Sequence, residues 1–239
     1  MRTVMVMLDD RWIHEAERLY RRYQLEIVES CGLCPWAERA RVSGKFRIRV
    51  LLQADPRATE GATRVIDELM ADPRAEVAVL VYPRLRLERL AFERFVAEVR
   101  DVDAKRHPLG AIPYVFAAFH PLASPDSSDA ERMIPFLRRT PDPTIQLLRS
   151  DVLEKVRSST PQGTQFVDIR AIERLDADPK EPAVSLRQRI ARTNLATVER
   201  IGVQEVSGRM DAIVQDRVGT YRELENAAAA DLQAALRAH

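Results

Sequence analysis

The sequence predicts an α/β fold: a small, largely parallel sheet of three or four strands covered by helices, followed by a helical C-terminal extension. Three observations carry that expectation. Phe46, Ile48, Val50 and Leu52 alternate with Arg47, Arg49 and Leu51, the period of a half-covered strand. Residues 77–82 form a continuous apolar run closed by Pro83, as in a strand covered on both faces. Residues 114–119 form a third apolar run, and helical spacing separates the three. That is the βαβ pattern, which implies right-handed crossovers and parallel pairing.

Taken in order, residues 11–30 place Trp12, Ala16, Leu19, Tyr20, Tyr23 and Ile27 at three- and four-residue intervals, with Glu15, Arg18, Arg22 and Glu26 on the other face. This is an amphipathic helix. After Pro56 a helix turns Val65, Ile66 and Leu69 inward, and residues 87–102 repeat the pattern through Leu90, Ala91, Phe95 and Val99. Beyond Pro121, residues 124–129 are turn material. Asp142 followed by Pro143 predicts an N-cap and first turn, opening a helix with Ile145, Leu148, Val152 and Val156 on its inner face. Residues 165–169 are a weak strand candidate and 178–182 read as a linker. After it, Leu186, Ile190, Leu195, Val198 and Ile201, then Val206, Met210, Ile213, Val214, Val218 and Tyr221, predict two helices, or one broken near Gly202. The domains expected are an α/β core over 1–178 and a helical extension over 179–239, packing on the core or on a partner.

Composition narrows the function classes. Hydrophobic residues make up 46% of the chain and charged residues 31%, as in a soluble globular protein. Lys and Arg number 37 against 36 Asp and Glu, so a net charge of +1 offers no field for nucleic acid or an anionic membrane. The first eight residues are too briefly apolar for a secretory signal, and no stretch approaches the roughly 20 apolar residues of a spanning helix. A cytoplasmic location is expected, with Cys31 and Cys34 reduced. Glycine-rich phosphate loops, nucleophile elbows, His-Glu-x-x-His and four-cysteine zinc patterns are missing, and eight glycines leave little room for a nucleotide cradle.

Three places carry candidate chemistry. His120 follows the strand 114–119, and ligands gather at strand ends in α/β sheets, although an imidazole there often only bonds a neighbouring carbonyl. Cys31-Gly32-Leu33-Cys34-Pro35-Trp36 follows the first helix. Gly32 suits the left-handed position that ends it, and Pro35 the first position of the next helix, which makes Cys34 an N-cap whose thiolate faces unpaired N–H groups and the positive end of the helix dipole, an arrangement expected to lower its pKa. Cys31 is expected to pack in the core. A thioredoxin-like exchange motif would need a strand before it. Arg138, Arg139 and Arg149 flank or enter the helix expected after Asp142, where they can grip a carboxylate or phosphate with Gln146 beside them. Pairing with Asp126, Asp129 or Glu131 is the plainer role for any one of these arginines.

In order along the chain, Gly32-Leu33-Cys34-Pro35-Trp36-Ala37, then Phe119-His120-Pro121, then Arg139-Thr140-Pro141-Asp142-Pro143-Thr144 with Leu147-Leu148-Arg149 resemble the signatures of the bacterial family called domain of unknown function 1415. The likeness covers about residues 11–160. The resemblance singles out Cys34, His120, Arg139 and Arg149 without implying an activity. The family pattern often carries a histidine where this chain has Gln146, so a Cys-His-His metal set does not carry over. The residues after about 160 are expected to be a lineage-specific addition.

Three functions follow as expectations. The first is an enzyme acting on a small anionic metabolite, with Cys34 as nucleophile or redox thiol, His120 as acid/base, and Arg138, Arg139, Arg149 and Gln146 holding the substrate. The second is a metalloprotein using Cys34, His120 and a carboxylate such as Asp126. The third is a non-catalytic scaffold whose C-terminal helices bind a partner or form a homodimer. No nucleic-acid or membrane partner is expected, and the identity of any cofactor is unknown from the sequence.

Overall fold

The computed structural model describes residues 2–34, 36–107, 113–123, 125–126, 128–158 and 186–237. The first helix, α1 (Arg2–Tyr23), buries the predicted row of Trp12, Ala16, Leu19, Tyr20 and Tyr23. It continues as a π-helical segment, Gln24–Glu29, still burying Ile27, and at its end the Ser30 N–H reaches five residues back to the Leu25 carbonyl at 3.1 Å. Gly32, at φ 64°, closes it in the left-handed conformation that glycine adopts without strain. Then come α2 (Ala37–Val42), β1 (Phe46–Val50), α3 (Glu60–Ala71), β2 (Val77–Val81), α4 (Arg89–Ala104) and β3 (Tyr114–Phe119). Next are α5 (Ala130–Leu137), capped by the Asp129 carboxylate on the Glu131 N–H at 2.6 Å, then β4 (Thr144–Arg149) and α6 (Ser150–Ser158). Two helices follow, α7 (Leu186–Ile201) and α8 (Val203–Arg237), divided at Gly202, whose φ is 103°.

The strands form one sheet in the order β1-β2-β4-β3. β1 and β2 pair in parallel, while β4 lies between β2 and β3 and runs antiparallel to both. The sheet is therefore mixed, with one parallel pair and two antiparallel pairs, rather than largely parallel. The difference comes from the segment after Asp142, which is a strand and not a helix. The Asp142 carboxylate caps nothing, because it accepts from Arg217 Nε at 2.6 Å and from the Tyr221 hydroxyl at 2.7 Å. Its carbonyl accepts the hydroxyls of Thr140 and Thr144, at 2.7 and 2.8 Å. Pro143 has no N–H to place in a ladder, but its carbonyl accepts from the Tyr82 N–H at 2.9 Å, which launches β4 beside β2.

Helices α3 and α4 cover one face of the sheet, where Ile66, Leu69, Phe92, Phe95 and Val99 meet Ala78, Leu80, Ile145, Leu147 and Tyr114. Leu90, expected to point inward, is exposed, and Phe92 holds the buried place. The other face packs against α1, α5 and α8. There α8 buries Val206, Met210, Ile213, Tyr221 and Leu224 in the same core as Trp12, Leu19 and Tyr23. Arg18 and Arg22 of α1 both grip Asp216 of α8, which holds that carboxyl well below the usual carboxylate range. The apolar stripe after residue 203 is thus core along most of its length, with Val218 exposed. The strand candidate at 165–169 and the linker at 178–182 lie outside the described residues. Among those described, no helix is long and apolar enough to cross a membrane.

Candidate functional site

Cross-strand register places Phe46, Val77, Leu148 and Val115 in one row, and Ile48, Val79, Gln146 and Ala117 in the next, all on the face that α1 covers. Above this end of the sheet lies a cavity of about 760 Å³. Its floor is the first row together with Gln146, Ala117 and Phe119, and its walls are the end of α1, the loop into α2, the end of α5, Leu153 of α6 and Ile190, Ala191 and Asn194 of α7. The lining is mostly aliphatic and aromatic with a few polar groups, the usual make-up of a small-molecule site.

Cys34 lines this cavity as a half-buried residue. It stands ahead of α2, whose cap residue is Trp36, so it is not the N-cap that Pro35 suggested. Burial pushes its thiol above the ordinary cysteine value. The backbone N–H groups of Trp36 and Ala37 pull the other way, and the nearby Glu29 carboxylate adds to the rise. The sulfur is therefore held as a neutral thiol at neutral pH. Cys31 is 4% exposed and packs in the core among Ile27 and Leu33, as expected.

Arg138, at the end of α5, also lines the cavity and lies 5.5 Å from the centre of the Phe119 ring. Tyr23 lines the same cavity, and its hydroxyl donates to the Leu137 carbonyl at 2.9 Å. Burial raises the Tyr23 hydroxyl, the Arg138 charge lowers it and Cys34 raises it, so all three groups share one electrostatic neighbourhood. Gln146, the only polar member of the floor, brings its carboxamide to the same space. Gln24, at the start of the π-helical segment, is 2% exposed, and neither its Oε1 nor its Nε2 has a hydrogen-bond partner. A buried amide in that state costs about 1–3 kcal/mol. Gln24 was not among the sequence candidates. Its signal was available: it sits four residues after Tyr20 and three before Ile27, a polar side chain on the inward row of an apolar stripe.

The remaining candidates lie elsewhere. His120 is 4% exposed, lines no part of the cavity, and has both ring nitrogens engaged: Nε2 with the Leu87 carbonyl at 2.9 Å and Nδ1 accepting from the Leu122 N–H at 3.1 Å. Its ring lies against Phe92, and burial pushes it below the ordinary histidine value. Its backbone N–H donates to the Arg138 carbonyl at 3.0 Å, so it fixes the strand end beside the cavity. Arg139 donates to the Pro121 carbonyl at 3.0 Å and pairs with Asp211 of α8 at 2.6 Å. Arg149 sits at the far end of β4, 3.3 Å from the Asp72 carbonyl and 3.5 Å from Asp151. Asp126 is bonded to Ser128 and lies 3.6 Å from Arg132. Among the described residues no group of three or more His, Cys, Asp or Glu is placed to hold a metal ion.

A family model described as protein of unknown function (DUF1415) matches residues 16–182, a longer stretch than the motifs alone suggested. No curated protein and no solved structure matches the chain.

Proposed function

We propose that this chain, which belongs to the family described as protein of unknown function (DUF1415), uses the cavity to take up a small anionic molecule with an apolar body and presents Cys34 to it. Cys34 is the thiol that the bound molecule meets, Arg138 holds the anionic group, and Gln146 and the aromatic walls orient the rest. The observation that carries the reading is convergence. Three segments far apart in sequence supply Leu33, Cys34, Trp36 and Ala37, then Phe119, then Arg138, Gln146 and Leu148 to the same walls. In this reading His120 and Arg139 are positioning residues. His120 ties the end of β3 to the Arg138 backbone, and Arg139 ties the same corner to α8.

Alkylation tests it, because iodoacetate and iodoacetamide differ in charge while attacking the same sulfur. At Cys34 the ratio of iodoacetate to iodoacetamide rates is expected to exceed that of a free thiol several-fold and to fall to the free-thiol ratio in Arg138→Gln. The absolute rate at neutral pH is expected to lie below that of a free cysteine and to climb beyond pH 9, because the thiol is shifted upward. A ratio equal to the free thiol's in both proteins would remove the anion site. A rate already at its plateau by pH 7 would contradict the neutral thiol.

A further inference from the structure

Three uncharged carboxamides from three different elements reach the one cavity: Gln24 from the π-helical segment, Gln146 from the middle of β4 and Asn194 from α7. Gln24 is buried with both side-chain polar atoms unpartnered. Among the described residues neither Gln146 nor Asn194 makes a side-chain hydrogen bond. Packing alone favours apolar side chains at these positions, since Gln24 is buried with Ile27 on the inward side of the π-helical segment and Gln146 lies between Val79 and Ala117 across the sheet. A carboxamide cannot ionise, and it presents a donor and an acceptor side by side. Its best complement is another edge of the same kind, which makes two hydrogen bonds at once. A site built on such groups discriminates strongly against a ligand lacking the donor, because a buried acceptor is then left unpaired.

We propose that the ligand carries, besides its anionic group, a neutral edge with adjacent hydrogen-bond donor and acceptor, a carboxamide, lactam or urea, and that Gln24 and Gln146 hold it. The inference rests on the reading above that the cavity is the ligand site. It adds the second recognition element and so the chemical class of the molecule. The anionic group lies toward Arg138, the apolar body lies against Tyr20, Phe46 and Phe119, and the neutral edge faces the two glutamines.

The test uses the full chain and four compounds: 4-carbamoylbenzoate and 6-carbamoyl-2-naphthoate, each beside the methyl ester that replaces its carbamoyl group. Protection of Cys34 from iodoacetamide is followed by peptide mass, with buried Cys31 as internal control. At least one carbamoyl compound is expected to protect at a concentration about tenfold or more below its ester. Gln24→Leu and Gln146→Leu are each expected to erase that difference. Gln24→Leu is also expected to keep or raise Tm, because it removes an unpartnered buried amide. Equal protection by amide and ester, with Arg138→Gln weakening both, would overturn this inference and leave the underlying reading in place. Protection by none of the four would remove the underlying reading and this inference with it. A Gln24→Leu chain with a clearly lower Tm would mean that the fold itself satisfies the amide, and would overturn the role given to Gln24.

Discussion

His120 serves the fold only as a neutral imidazole. Its partners fix the tautomer, since Nδ1 accepts from the Leu122 N–H and Nε2–H must therefore donate to the Leu87 carbonyl. Protonation puts a hydrogen on Nδ1 and breaks the first bond, in a place where burial already disfavours the charge. The folded pKa lies below the unfolded value near 6.5, so the unfolded chain binds more protons as pH falls through this window. Stability is complete above about pH 6.5 and declines below it. Urea titrations at pH 7.5 and 5.5 should show a loss in the native protein that His120→Gln does not share; equal losses in both would refute the assignment. Asp142 is another buried titratable group with a defined structural task. Arg217→Met leaves its carboxylate buried with the Tyr221 hydroxyl as its remaining side-chain partner, and should cost about 3–5 kcal/mol in chemical denaturation. A loss under 1 kcal/mol would show that the pair is not what holds this corner. At this scale motif and residue type single out Cys34, Arg138 and Gln146, which line the cavity, although Gln146 sits on a strand where a helix was expected. The engagement of His120 and Arg139 with backbone and α8 was not, because their partners lie up to 72 residues away.

Among the elements, α8 bears on the core more than its place at the chain's end suggests. Val206, Met210, Ile213, Tyr221 and Leu224 are all buried against α1 and its neighbours. At about 1.5–3 kcal/mol for each buried side chain, their sum is comparable to the whole stability of a domain, about 5–15 kcal/mol. The helix also supplies Arg217 and Tyr221 to Asp142, although it lies beyond the stretch that matches the family. Deleting residues 203–239 should therefore give an insoluble or unfolded chain. A soluble remainder with unchanged circular dichroism and Tm would contradict this. Helical periodicity announced α8 and its break at Gly202 correctly, because an apolar stripe is a local property. It failed at β4, where Asp-Pro imitates a helix start while the aspartate is drawn to Arg217. The π-helical segment left no mark either, since one extra residue in a turn barely disturbs the spacing of Tyr20, Tyr23 and Ile27.

For the molecule as a whole, the sheet divides two unlike halves. One face is closed tightly by α3 and α4, and the other carries α1 and α8 at one end and leaves a cavity at the other. The sequence disclosed the α/β class and three strands, because those runs are either strictly alternating or wholly apolar. It did not disclose the cavity, which exists only once β4 is inserted between β2 and β3 and brings Gln146 into the same lining as Tyr23 and Cys34. Everything proposed for this protein depends on Cys34 being reached through that space. The most direct measurement fills the space from the floor: Ala117 lines it on β3, and Ala117→Trp places an indole there while leaving the sequence of Cys34's own loop unchanged. Alkylation of Cys34 should slow by tenfold or more in Ala117→Trp, while Tm stays unchanged or rises as the void is filled. Unchanged Cys34 reactivity in a normally folded Ala117→Trp protein would show that the sulfur opens elsewhere, and would contradict the account.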